Sequence, residues 1–170
     1  MNRQTILFIS DMRQVYLAEI LTKKGRNVRC LDIRNSNAVL EQLEKLSDFL
    51  AEADTLILPI PVSKIPEQER LNDILNKDLT KHTLVLGGCF SGEQKKMLER
   101  RAISYLDFME DSIVTEENAV ATAEGVIAEL VRQSPYNIKD AKVLVSGYGY
   151  CGKAVAMRLA ALGARVTVLA

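Results

Sequence analysis

The sequence predicts an α/β protein with one complete doubly wound parallel-sheet domain, followed by the first βαβ unit of a second α/β domain. Two observations support this fold class. Short runs of β-branched and aliphatic residues alternate with segments of helical period along the whole chain. A Gly-x-Gly-x-x-Gly pattern follows one of the last apolar runs and precedes a helical segment. Alternating strands and crossover helices are typical of a buried parallel sheet.

The first domain is predicted to contain five strands joined by four crossover helices. The strands are expected at residues 5–9, 28–33, 55–59, 83–86 and 103–106. The helices are expected at residues 12–24, 38–51, 67–75 and 92–101. This number of strands and crossovers completes a flavodoxin-like or Rossmann-like domain. We place its boundaries at residues 1–115.

The longest helical pattern, residues 116–133, ends before Ser134 and Pro135, which favour helix termination. We predict a linker helix over residues 116–136. The start of a second, Rossmann-type domain then follows at residues 137–170, as a strand, a glycine turn, a helix and a strand. One βαβ unit cannot bury both faces of its own sheet, so we expect a longer chain to complete this domain.

The composition excludes several classes of partner. The 22 basic residues balance the 22 acidic ones, without the basic surface that nucleic-acid binding needs. Cys30, Cys89 and Cys151 are too widely spaced for a disulfide framework or a zinc site, so no metal is expected. The apolar run at residues 6–9 is far too short for a signal peptide or a membrane span. We therefore expect a cytoplasmic protein with neither nucleic-acid nor membrane partners.

The glycine turn predicts a site for a nicotinamide dinucleotide. The first glycine permits a tight turn, the second lets the backbone approach a pyrophosphate, and the third allows the helix to pack closely on the strand. Free N–H groups at the start of the helix would face the anion. A glycine-rich turn without a ligand is the alternative. The residues expected at the cofactor are Gly147, Tyr148, Gly149, Tyr150, Cys151 and Gly152.

The choice between NADP and NAD depends on a residue about 20 positions after the turn, where a basic residue favours NADP and an acidic one NAD. That position lies just beyond Ala170.

In open parallel sheets, ligands gather at the carboxyl ends of the strands. The first such loop contains Asp11 and Arg13. Asp11 is either a helix N-cap or a site residue. Arg13 could hold a substrate carboxylate by a bidentate pair, or be an ordinary solvated arginine. Both are candidates for substrate binding.

Two further loops end strands of the same sheet. Pro59 and Pro61 stiffen the loop after the third strand, and we assign Pro61 to the substrate side, with Lys64 as a weaker cationic candidate. In the loop at residues 87–92, glycine would allow a close backbone approach and Ser91 could cap the next helix.

The long helix carries a carboxylate within an apolar stripe. Val120, Ala123 and Ile127 fall on one face at helical spacing, and Glu124 lies among them. A carboxylate in such a stripe needs a partner or a shifted pKa. Glu124 is therefore either part of a structural ion pair or a site residue alongside Asn118 and Thr122, since perturbed carboxylates concentrate at functional sites.

These segments resemble a known family. Residues 118–127, which read Asn-Ala-Val-Ala-Thr-Ala-Glu-Gly-Val-Ile, and the turn at residues 143–153 are similar to the family formed by the A subunit of dipicolinate synthase. The loops at residues 10–13 and 58–61 are similar as well. The Thr-Ala-Glu-Gly helix followed by Gly-x-Gly is also shared with a wider group, which contains S-adenosylhomocysteine hydrolases and formate/glycerate dehydrogenases.

The resemblance implies an NADP-dependent oxidation of a dihydrodipicolinate-type intermediate to pyridine-2,6-dicarboxylate during spore formation, in the mother-cell cytoplasm. It also implies a flavoprotein-like partner, the B subunit of dipicolinate synthase. The substrate would be a small dicarboxylate bound by Asp11, Arg13, Pro61 and Asn118. Glu124 would be the candidate proton acceptor, with Thr122 as a second catalytic candidate.

Several alternatives stay open at this point. NAD is not excluded as the cofactor, and the protein could form a homo-oligomer. Another NAD(P)-dependent dehydrogenase, acting on a small 2-hydroxy or amino acid, would have the same architecture. A non-catalytic NAD(P)-sensing module would have it too. We expect the 170-residue chain to be inactive by itself.

Overall fold

The computed structural model describes residues 4–170 and divides into two compact units. The first unit is Met1–Phe108 and the second is Met109–Ala170. Each unit has its own parallel sheet. The division places the long helix in the second unit, together with the strands that follow it. The predicted boundaries at residues 115 and 136 stay predictions.

The first unit is a five-stranded parallel sheet with helical crossovers. The strands are β1 Gln4–Ile9, β2 Asn27–Asp32, β3 Ala53–Ile57, β4 Leu84–Gly87 and β5 Tyr105–Asp107. The helices are α1 Met12–Lys23, α2 Val39–Leu50, α3 Gln68–Asp78 and α4 Gly92–Arg100. The strand order is β2-β1-β3-β4-β5. This is the flavodoxin-like order, so the predicted doubly wound fold is confirmed, with its topological switch point between β1 and β3.

The core of this unit lies on both faces of β1. All six residues of β1 are buried, and Ile6, Leu7 and Phe8 have no exposed surface. Since successive side chains of a strand point to opposite faces, both faces must be covered. The helices supply apolar side chains at helical spacing, such as Leu43, Leu46 and Leu50 of α2.

The last strand of this sheet begins later than the sequence predicts, because α4 ends in a Schellman cap. Ala102 adopts a positive φ of 53°. Its N–H donates to the Glu99 carbonyl at 3.0 Å, and the Ile103 N–H donates to the Leu98 carbonyl at 2.9 Å. The backbone N–H of Ile103 therefore closes the helix, and strand pairing begins only at Tyr105.

The second unit contains α5 Ser112–Gln133, β6 Lys142–Ser146, α6 Tyr150–Ala161 and β7 Arg165–Leu169. Strands β6 and β7 pair in parallel, with Lys142 opposite Arg165. Helix α5 begins four residues before the predicted start, because the Asp111 side chain accepts hydrogen bonds from the N–H groups of Ile113 at 2.9 Å and Val114 at 3.1 Å. Between residues 4 and 170, no helix is both long enough and apolar enough to cross a bilayer.

Candidate functional site

The turn between β6 and α6 requires glycine for two different reasons. Gly147 has a φ of +93°, which side chains rarely tolerate. A Cβ on Gly152 would lie 2.1 Å from the carbonyl oxygen of Gly147, so the helix can approach the strand only without a side chain there. This is the geometry that the pattern predicts for the first and third glycines.

Gly149 occupies a different environment in the same turn. A Cβ added there would have no heavy atom within 4 Å, so the space beside its backbone is open. Gly149 is also the N-cap of α6 and makes no side-chain cap bond. The Lys153 N–H is bonded to the Gly149 carbonyl at 2.9 Å. The N–H groups of the residues between them lie in the first turn, where they have no intrahelical acceptor and favour an anion.

A cleft of about 490 Å³ adjoins this turn within the second unit. Its volume lies within the range of small-molecule sites. The exposed side chains of Tyr148 and Tyr150 line it, with the cation Lys153 close behind. The glycine motif identifies the turn but not the walls of the cleft, which come from α5 and from later residues of α6. The lining residues that the sequence did not assign to a site are Glu116, Ala119, Lys153, Ala154, Met157 and Arg158.

Helix α5 buries part of the face that the sequence predicts, since Ala123 is buried and Val120 and Ile127 are half-buried. Its buried residues are Thr115, Ala119 and Ala123, which are spaced one turn apart. This face packs against α6, where Ala156 and Leu159 are buried. Small side chains at the contact let two helices approach closely. The larger apolar residues of the predicted stripe are therefore not the centre of the contact.

The expectation of a buried Glu124 is wrong, since its side chain is exposed. The physical reason is that the buried face is centred on Thr115, Ala119 and Ala123, and Glu124 lies about 100° from Ala123 around the helix. At about 100° per residue, Glu124 lies roughly 200° around the helix from Thr122, so the two do not share a face. Thr122 is exposed as well, and its Oγ1 donates to the carbonyl oxygen of Asn118 at 2.9 Å. The structure therefore brings Asn118 and Thr122 together and separates both from Glu124.

In the first unit, Asp11 joins two loops at the carboxyl edge of the sheet. It caps α1, as its Oδ1 accepts from the backbone N–H of Arg13 at 3.0 Å. The Arg13 side chain donates to both carboxylate oxygens, from Nε at 3.1 Å and Nη2 at 2.8 Å. Lys64 Nζ lies 2.6 Å from Asp11 Oδ2. Pro61 precedes the short 3-10 helix Val62–Lys64, which carries this lysine.

These contacts fix the charges of the cluster. The hydrogen bond from the Arg13 guanidinium holds the pKa of the Asp11 carboxyl far below its usual range, and Lys64 lowers it further against the opposing effect of burial. Asp11 in turn raises the pKa of Arg13. The Asp11 carboxylate is therefore ionised at physiological pH and lies between the side chains of Arg13 and Lys64.

A second carboxylate at this edge was not selected from the sequence. Asp107, only 4% exposed, accepts from the backbone N–H groups of Cys89 at 2.9 Å and Phe90 at 3.1 Å. Its Oδ2 lies 3.3 Å from Lys95 Nζ. The glycine-containing loop after β4 thus gives these N–H groups to a carboxylate of the same chain. Ser91 caps α4 with a capping box, as predicted.

Taken together, a doubly wound sheet followed by a strand, a glycine turn, a helix and a strand defines the class of this protein. Its fold is of the Rossmann type and is similar to the folds of an NAD-dependent formate dehydrogenase and a 3-phosphoglycerate dehydrogenase.

Comparison with known proteins identifies the family. The family model for the N-terminal domain of the dipicolinate synthase A subunit matches residues 10–109. Because this match covers more than half of the chain, the chain belongs to this dipicolinate synthase family, and the predicted resemblance is confirmed. The A subunit of dipicolinate synthase from Bacillus subtilis (strain 168) is 26% identical over 174 residues, which cover 93% of this chain and 57% of that protein. An adenosylhomocysteinase of Thermoplasma volcanium is 36% identical over 52 residues, 31% of this chain and 13% of that protein.

Solved structures share the fold at low sequence identity. The crystal structure of the dipicolinate synthase A subunit from Bacillus halodurans matches with a TM-score of 0.69 and 21% identity, over 99% of this chain and 61% of that one. The NAD-dependent formate dehydrogenase from Staphylococcus aureus, solved in complex with NAD, matches with a TM-score of 0.51 and 17% identity, over 97% of this chain and 55% of that one. The chain thus spans about three fifths of the length of its dipicolinate synthase relatives.

Proposed function

We propose that this chain is part of an enzyme that catalyses the NADP-dependent oxidation of a dihydrodipicolinate-type intermediate to pyridine-2,6-dicarboxylate during spore formation. In this proposal it acts in the mother-cell cytoplasm with a flavoprotein-like partner, the B subunit of dipicolinate synthase. The observation that carries the proposal is the family match over residues 10–109. The glycine turn in the second unit supports it, because the reaction requires a hydride acceptor.

The glycine turn has the features that a nicotinamide dinucleotide requires. The space beside Gly149 is open for a pyrophosphate, and the first N–H groups of α6 would hold it there. When bound, the nicotinamide ring accepts the hydride of the oxidation. The formate dehydrogenase with the same fold contains NAD, which supports a cofactor of this kind. NADP is the cofactor we propose, with NAD as the alternative.

The chain's own residues would position the substrate and remove a proton. Converting a dihydropyridine ring to a pyridine ring removes one hydride and one proton, so a base must take the proton. We propose Glu124 as this base, because its exposed carboxylate is accessible to a ligand. Asn118 and Thr122 lie on another face of α5, so they do not share one small-substrate site with Glu124, and their assignments stay predictions.

The test is a turnover assay of the full-length protein beside a cofactor-binding titration. We expect reduced nucleotide and pyridine-2,6-dicarboxylate to form together, faster with NADP than with NAD. Glu124→Gln should lower kcat about 100-fold or more, in the range of general-base catalysis. Glu117→Gln is the matched control, since Glu117 is an exposed acid of the same helix, and it should keep kcat within about two-fold of the unchanged protein.

Two outcomes would contradict this proposal. Unchanged turnover in Glu124→Gln would remove the assigned base. Cofactor binding without any hydride transfer to the nucleotide would instead favour a non-catalytic NAD(P)-sensing module.

A further inference from the structure

Arg13 and Lys64 meet at the switch point of the first sheet although they lie 51 residues apart in sequence. Arg13 belongs to α1, which follows β1, and Lys64 ends the short helix that follows β3. Strands β1 and β3 are neighbours in the sheet. Asp11 Oδ2 accepts from both cations, at 2.8 Å from Arg13 Nη2 and 2.6 Å from Lys64 Nζ. One carboxylate therefore draws the two cations together.

In this cluster the carboxylate oxygens of Asp11 are fully used as acceptors, whereas Arg13 and Lys64 have unused N–H donors. The Asp11 oxygens already accept from the Arg13 backbone N–H, from two of its side-chain nitrogens and from Lys64. Arg13 has five N–H donors and Lys64 has three, and most of them make no hydrogen bond within residues 4–170. The Arg13 side chain is 58% exposed and that of Lys64 is 34% exposed. The free donors are accessible, and the net charge is positive.

We propose that Arg13 and Lys64 form a receptor for one carboxylate group of a small dicarboxylate, with Asp11 as the positioning residue that holds the two cations side by side. The identity of the dicarboxylate rests on the proposed function. A carboxylate is the matching anion because its two oxygens can take one hydrogen bond from a guanidinium and one from an ammonium group. The location agrees with the rule that ligands of open α/β sheets bind at the switch point.

A second Asp-x-Arg pair has the same geometry as Asp11 and Arg13 but lacks the additional positive charge that Lys64 supplies. Asp32 is the last residue of β2 and Arg34 follows it, and the two form the same kind of bonds, with Arg34 Nε 3.0 Å from Oδ1 and Nη2 2.6 Å from Oδ2. No lysine joins them within the described part of the chain, so the pair is neutral. Strand β2 lies at the edge of the sheet and pairs with β1 but not with β3, although Arg34 Nη1 lies 3.8 Å from Met12 Sδ. Arg34 is therefore a matched control for Arg13.

The experiment measures equilibrium binding of pyridine-2,6-dicarboxylate and of pyridine-2-carboxylate to the full-length protein by calorimetry, without cofactor. We expect the unchanged protein to prefer the dicarboxylate. Arg13→Met and Lys64→Met should each weaken dicarboxylate binding about 10-fold or more, since each removes a charge-assisted hydrogen bond, and should reduce the preference over the monocarboxylate. Arg34→Met should leave both affinities within about two-fold.

The role of Asp11 has its own test. Asp11→Asn removes the only negative charge of the cluster, so charge alone would tighten dicarboxylate binding. If Asp11 acts by positioning the cations, binding should weaken about three-fold or more despite the added positive charge. Asn is also a good N-cap, so helix α1 is kept. Lys64→Arg keeps the positive charge and should bind the dicarboxylate as the unchanged protein does. If Lys64→Met unfolds, as judged by circular dichroism, the loss of affinity in Arg13→Met decides the test.

Several results would overturn the inference. These are unchanged binding in Lys64→Met, an equal loss in Arg34→Met, absence of dicarboxylate binding to the unchanged protein, or tighter binding in Asp11→Asn. The outcome is separable from that of the proposed function. If the protein shows no turnover but its dicarboxylate binding depends on Arg13 and Lys64, the receptor is supported and the proposed reaction is contradicted. If Lys64→Met turns over substrate with an unchanged KM, the proposed reaction is supported and the receptor is contradicted.

Discussion

At the scale of single residues, the same amino acid serves three different purposes in the second unit. Gly152 is required because a Cβ would collide with a backbone oxygen. Gly149 faces open space at the proposed cofactor site. Gly125 lies within α5, where a Cβ would meet no atom within 4 Å. A change to alanine therefore has a separate physical consequence at each position.

We expect three distinct results from this one substitution. Gly152→Ala should lower the free energy of unfolding by about 1–3 kcal/mol through overpacking. Gly149→Ala should change it by less than about 1 kcal/mol but weaken nucleotide binding about 10-fold, because its methyl group occupies the space for the pyrophosphate. Gly125→Ala should raise stability by about 0.5–1 kcal/mol as a helix-favouring change. Urea denaturation and nucleotide titration of the three variants check this, and equal stability losses in all three would contradict it.

At the scale of elements, the helices and strands follow from the sequence more closely than their ends or partners do. The alternation of apolar runs and helical patterns locates every strand, because short runs of β-branched and aliphatic residues favour the strand conformation. The start of α5 at Ser112 depends on Asp111, whose role as an N-cap is not distinguishable by periodicity. The exposure of Glu124 depends on which face of α5 is covered by α6. That face is set by the packing of the two helices and not by the sequence of α5 alone.

The candidate site shows the same limit more clearly. Gly147 and Gly152 could be assigned from the motif, since their roles depend on residues a few positions away. Lys64 meets Asp11 across 53 positions, and Asp107 receives the N–H of Cys89 across 18. Such contacts can be predicted only when the strand order is known. Sequence spacing alone does not encode them.

The cap of α5 gives a prediction for this scale. Asp111→Ala should destabilise the second unit by about 0.5–2 kcal/mol, because the N–H groups of Ile113 and Val114 lose their acceptor. Asp111→Asn should be nearly neutral, since its amide oxygen can accept the same bonds. Hydrogen exchange at these two amides, with urea midpoints, measures the effect. Equal exchange rates in the Ala and Asn variants would show that the cap is not what begins the helix.

At the scale of the whole molecule, the two units differ in how well they bury their sheets. Strand β1 is buried at every residue, whereas β6 alternates between exposed and partly buried residues. In the second sheet, Leu144 is 65% exposed and Leu169 is 61% exposed. Local stability follows the burial of apolar contacts, so the units should open separately.

We expect hydrogen exchange of the 170-residue chain to show this difference directly. The amides of β1 should exchange only with the global opening of the first unit, while those of β6 and β7 should exchange at least about 100-fold faster. Exchange mass spectrometry with peptide resolution provides the measurement, with β3 as an internal reference for the first sheet. Equal protection of β1 and β6 would contradict independent opening.

The exposure of all three cysteines has a practical consequence for chemical labelling. Cys151 lies in the first turn of α6, beside the proposed pyrophosphate position. Loss of solvent around the sulfur, reinforced by the negative charge of Asp32, raises the pKa of the Cys30 thiol, which slows its alkylation at neutral pH. In a variant lacking Cys30 and Cys89, bound nucleotide should therefore protect the Cys151 thiol from an alkylating reagent, and the labelling rate would report occupancy of the glycine turn. The Cys151 thiol is thus a natural probe for nucleotide binding at the glycine turn.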